Sequence, residues 1–169
     1  LVPKIRENPS DLNTAKKIFK YSVQAKCTDQ AYFLEASEPV FAEQPSYALA
    51  SAIGKKYLAS GDFDKGLKYN EEAGELATTN EEKFEALMGQ AVAHSKMGNR
   101  TRARTLAYQA LSAVPGKSEA YNLIGNLYFT SFETCRGDES IVQDRGVFLA
   151  AYKMYEKAGN ISQMAAAIA

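Results

Sequence analysis

Apolar and small residues recur along this chain at helical spacing, and one short pattern returns three times. In Tyr121-x2-Ile124-Gly125-x2-Tyr128 two aromatics, an aliphatic and a glycine fall at offsets that share one face of an α-helix. The glycine lets a second helix approach closely. Ala91 lies 34 residues before Gly125, within Leu87-x2-Gln90-Ala91-x2-His94. Gly54 lies a further 37 residues back, within Ala50-x2-Ile53-Gly54-x2-Tyr57. Each pattern is followed by a second apolar helix. Gly66 and Ala73 mark the first, Ala103-x3-Ala107-x2-Ala110 the second and Ala151-x3-Tyr155-x2-Ala158 the third.

Turn chemistry divides the rest. Helices are expected over residues 11–26, 29–43, 46–59, 63–77, 81–97, 100–113, 118–132 and 146–158, with a short one at 161–169. Ser10, Thr28 or Asp29, Asp62 and Ser118 are expected N-caps, and Thr79-x2-Glu82 reads as a capping box. Gly61, Gly98 and Gly159 suit left-handed helix ends. Pro39, inside the second helix, removes one backbone donor and is expected to loosen it. The first pair lacks the small residue of the repeated pattern.

The spacing resembles the tetratricopeptide repeat, W-x2-L-G-x2-Y, with Tyr121 for Trp and Ile124 for Leu. Residues 46–158 carry the resemblance. Ala107 departs from it, standing where the repeat has an aromatic. The segment from Tyr121 to Asn160 is similar to a group of bacterial proteins of this kind, many of them exported. That implies a periplasmic or cell-surface location.

The fold expected is all-α: a right-handed superhelix of antiparallel helix pairs, an α-solenoid of about four pairs. It would be one domain over residues 1–169, with a degenerate pair at 10–45 and repeats at 46–80, 81–117 and 118–160. An insertion occupies 132–145, and residues 161–169 begin a further or capping helix.

The resemblance implies a concave groove lined by first helices and taking an extended peptide or partner helix, with no catalytic residues. Inward positions in the 46–80 repeat would be Ala48, Ser51, Ala52, Lys55, Leu58 and Ala59. In the later repeats they would include Met88, Val92, Asn122, Asn126 and Phe129. Asn122 and Asn126 can each donate to and accept from a peptide backbone. Leu58, Met88, Val92 and Phe129 would take apolar side chains, with Lys55 beside them. Family members that clamp a C-terminal carboxylate do so with Asn, Asn, Lys and Arg at positions held here by Lys55, Gly89, Glu119 and Leu123. The chain is therefore not read as a carboxylate-clamp co-chaperone.

Composition narrows the alternatives. Twenty Lys and Arg balance twenty Asp and Glu without a basic run, which disfavours nucleic-acid binding. Apolar runs are too short for membrane insertion. Cys27 and Cys135 fall near turns of repeats far apart in the stack and are expected to be unpaired thiols. With one histidine, His94, they give no metal-ligand spacing. His94 is expected to be packed and hydrogen-bonded, and no nucleophile is paired with it. No cofactor motif is present.

The chain opens Leu-Val-Pro without an initiator Met and reads as an excised or processed piece, so compartment stays open. Arg136-Gly137-Asp138 spells an adhesion tripeptide short enough to arise by chance. The insertion, rich in both charges, is a better candidate for a protein contact. The function expected is a non-enzymatic protein-interaction scaffold. The alternative is a structural arm of a larger protein or a self-association module, including a homo-oligomer.

Overall fold

A computed structural model describes residues 2–8, 11–28, 30–135 and 144–168. Among them the regular structure is all helical, in consecutive pairs, and divides into two compact units, Leu1–Thr78 and Thr79–Ala169.

In the first unit, α1 (Val2–Glu7), α2 (Leu12–Gln24) and α3 (Ala31–Glu43) precede the pair α4 (Tyr47–Ser60) and α5 (Phe63–Leu76). Helices α2 and α3 pack together, and α3 continues onto α4. The first pair does have small residues at its contact. Ala15 and Ala36 are fully buried with Ile18; Ala15-x2-Ile18 keeps the spacing of Ala50-x2-Ile53, but Phe19 stands where the pattern has its glycine. Phe19 stacks on Phe33 at 5.5 Å beside them. Helix α3 runs on through Pro39.

Helices α4 and α5 meet through reciprocal glycines. A Cβ on Gly54 would come 2.6 Å from the Asn70 amide, and one on Gly66 would come 2.6 Å from Leu58. Ala50, Ile53 and Ala73 are fully buried beside them. Gly61 closes α4 at φ 86°, and Asp62 accepts the Lys65 N–H to open α5.

The second unit pairs α6 (Asn80–Lys96) with α7 (Arg100–Ala113). Helix α8 (Ser118–Phe129) then pairs with α10 (Gly146–Ala158), with the short α9 (Phe132–Cys135) between them and α11 (Ile161–Ile168) behind. Thr79 and Glu82 form the expected capping box, at 3.2 and 3.0 Å. Ala91 and Ala107, both fully buried, occupy the close contact of α6 and α7. Gly125 meets the ring of Tyr155 in the pair that follows.

Several boundaries differ from expectation. Helix 118–132 ends at Phe129. The Thr130 and Ser131 hydroxyls donate to the Asn126 and Tyr128 carbonyls, and such back-bonding competes with helix continuation. Ser118 is the first helical residue, with Lys117 before it as N-cap. Gln30, not Thr28, precedes α3 and caps it without a side-chain bond. Tyr121 and Tyr128 are only half-buried, while Ile124 is wholly enclosed. Residues 9–10, 29 and 136–143 lie outside the described residues. With them go the Ser10 and Asp29 caps, the adhesion tripeptide and most of the insertion.

Asp11 caps α2. Its carboxylate accepts the Thr14 hydroxyl at 2.6 Å and the Thr14 N–H at 3.2 Å. The hydroxyl bond, then the amide bond, hold the carboxyl below its ordinary range. A lowered folded pKa means the cap stabilises at pH above the ordinary value and is lost as pH falls through the folded one. The Thr14 amide resonance should therefore titrate with a midpoint below about 3.9, the value of a free aspartate. A midpoint at or above it would show the cap is not formed in solution.

Candidate partner-binding faces

The seven residues expected to bind a partner fall in both units. In the first, Lys55 is exposed, but half-buried Leu58 is spent partly on covering Gly66 of its own pair. Ser51, expected to face the groove, is buried, whereas Ala48 and Ala59 are exposed and Ala52 half-buried.

In the second unit Met88 and Val92 are half-buried on α6, and Met88 packs against the core of Phe84, Leu106 and Ile124. Asn126 is exposed and Asn122 half-buried. Both amide oxygens are engaged. The Tyr155 hydroxyl donates to Asn126 at 2.8 Å, and the Asn160 amide donates to Asn122 at 2.7 Å. Asn160 in turn accepts the Gln163 N–H, so it caps α11 while tying it to α8. Each asparagine keeps its NH2 as the donor side of any backbone contact. Phe129 packs edge-on to Phe148 at 5.4 Å, and Phe132 stacks on that ring at 4.9 Å. Met88, Phe129 and Leu58 are thus shared with the packing, and Lys55 and Asn126 are the accessible members of the set.

Two clefts in the first unit were not expected. One of about 500 Å³ runs between α2, α3 and α4, walled by Phe19, Val23, Phe33, Val40, Leu49 and Ala52. The other, of about 560 Å³, holds a polar cluster. There the Tyr57 hydroxyl donates to Glu38, Lys65 lies 3.2 Å from that hydroxyl, and Lys65 pairs with Glu38 at 3.5 Å. Burial, reinforced by the Glu38 bond, pushes the Tyr57 phenol well above its ordinary value. Such a phenol stays protonated and donates; it is no nucleophile at neutral pH. Tyr57 was legible as the last position of the repeated pattern. Glu38 and Lys65 lie 19 and 8 residues away and become its partners only when α3, α4 and α5 meet.

His94 is half-buried, its Nδ1 3.4 Å from the Asn99 amide across the α6–α7 turn. Cys27 is exposed and unpaired, and the side chain of Cys135 lies outside the described residues. Among the described residues no group of three or more His, Cys, Asp and Glu is placed to hold a metal ion. No described helix is long and apolar enough to cross a membrane. The class defined by this architecture is an all-α protein of consecutively packed helix pairs. Neither a protein-family model nor a curated protein matches the chain.

Proposed function

We propose that the chain is a tetratricopeptide-like scaffold that binds a peptide or partner segment along the exposed faces of its first helices, without catalysis. The observation that carries this reading is the division of α4, α6 and α8 into two faces. One is sealed by Gly54, Ala91 and Gly125 against the second helices. The other keeps Lys55 and Asn126 in solvent, with Val92 and Asn122 partly open beside them. A scaffold that buries one side of each pair leaves the other side available for recognition. The most chemically suggestive cluster, Glu38–Tyr57–Lys65, is closed on itself by the Tyr57–Glu38 hydrogen bond and the Lys65–Glu38 ion pair, which suits a structural role.

A structural arm or self-association module is a second reading with its own support. Helix α11 leaves Ile161 and Ile168 79% and 72% exposed, an apolar surface suited to a further packed helix.

Selection of a random-peptide display library on the purified chain tests the scaffold reading. Lys55→Glu and Asn126→Asp, each at an accessible position, serve as controls for site. Enriched peptides that bind the parent and lose affinity for either variant are the expected result. No enrichment, or binding indifferent to both substitutions, would shift the reading to the arm.

A further inference from the structure

The second unit contains a cleft of about 580 Å³ where the start of α7 faces the α8–α9 corner and Val147 of α10. Arg100, Arg102 and Arg104 all line it, with Tyr128, Ser131 and Thr134 opposite. No acidic residue is among its described lining. Two of the arginines are pre-positioned. Arg100 donates to the Thr134 hydroxyl at 3.1 Å, and the Arg104 guanidinium lies 5.1 Å from the centre of the Tyr128 ring. Each contact restrains a long side chain and leaves most of its five N–H donors unspent. The backbone adds to the same sign, since Asn99 precedes α7 without a side-chain cap and leans instead toward His94.

Three like charges gathered in one concavity repel one another, and an anion entering it relieves that repulsion while taking paired guanidinium hydrogen bonds. We propose that this cleft is a recognition subsite for the carboxylates of an acidic polypeptide segment. A peptide fits better than a nucleic acid. The chain is neutral overall, and the basic residues form a single cluster rather than a track for successive phosphates. Leu127, Tyr128 and Val147 give the cleft apolar walls for the methylene stems of Glu side chains. The site lies where the start of α7 meets α8 and α9, and it shares no residue with the face of Lys55, Val92, Asn122 and Asn126.

The test is fluorescence anisotropy of labelled hexaglutamate on the whole chain. Unlabelled hexaglutamine, a hexathymidylate and inorganic phosphate serve as competitors. Hexaglutamate should bind saturably and more weakly as salt is raised, while hexaglutamine should not compete. Arg100→Gln with Arg104→Gln should weaken binding by at least about tenfold, the effect of losing one charge-assisted bond. Arg104→Gln also removes the Tyr128 contact, so Arg102→Gln, at an exposed position, gives a variant whose folding is not at issue and should weaken binding too. Lys20→Gln, at an exposed position in the other unit, should leave the affinity unchanged. The proposal fails if hexaglutamate does not bind, if hexaglutamine competes equally, or if the arginine variants bind like the parent. It fails equally if the oligonucleotide or phosphate displaces the peptide better than unlabelled hexaglutamate does, which would make the cleft a phosphate site.

Discussion

Replacing Tyr155 with alanine should cost the second unit about 3–5 kcal/mol, the range for removing a large buried aromatic. The ring is fully enclosed, beside Ala151 and Ala167 and against the bare face of Gly125. The hydroxyl donates to Asn126, and burial raises the phenol above its ordinary value, so it remains a donor well into alkaline solution. Tyr155→Phe keeps the ring and loses only that bond, for about 1 kcal/mol. Denaturant titration of both variants separates the two contributions through their midpoints at unchanged slope. If alanine cost no more than phenylalanine, the ring would not be part of the core.

The second large effect comes from the other side of the same contact. Gly125→Val should destabilise by about 1–3 kcal/mol through overpacking. A Cβ there would sit 2.6 Å from Cε1 and 2.8 Å from Cδ1 of Tyr155. The ring is held at one end by its hydrogen bond and enclosed along its edges, so it has no room to turn aside. The two substitutions should couple. In the Tyr155→Ala background the valine would enter the vacated space, and its penalty should shrink or reverse. A double-mutant cycle with additive energies would show that Gly125 and Tyr155 do not touch in solution.

Gly125 was legible because a helix face repeats every three or four residues, and three small residues in one frame point to three close helix contacts. The same frame located Ala50, Ile53 and Ile124, all fully buried. Capping was legible where the signal is local, as in Thr79–Glu82 and Gly61–Asp62. What escaped depends on approach between helices. Ala15 keeps the place of Ala50 in the frame, but Phe19 takes the glycine's place and Ala36 packs the pair from outside the pattern. Asn70, buried and polar, fills the space over Gly54 where the pattern suggests an aromatic, and its amide donates to the Gly66 carbonyl at 2.7 Å. The amide oxygens of Asn122 and Asn126 are claimed by residues 38 and 29 positions away, which no local reading of α8 supplies. The arginine cleft likewise joins Arg100 to Thr134 across 34 residues.

The three repeated pairs fill the same slot differently. Asn70 lies over Gly54, Ala107 is buried in the pair with Ala91, and Tyr155 lies over Gly125. These fillings differ greatly in volume, so a first helix must suit its companion. A chimera that set α6 in place of α8 would bring the Ala91 methyl against the Tyr155 ring, where a Cβ comes within 2.6 Å. Shuffling this chain would therefore succeed by whole hairpins, with the matched pair rather than the helix as the piece exchanged.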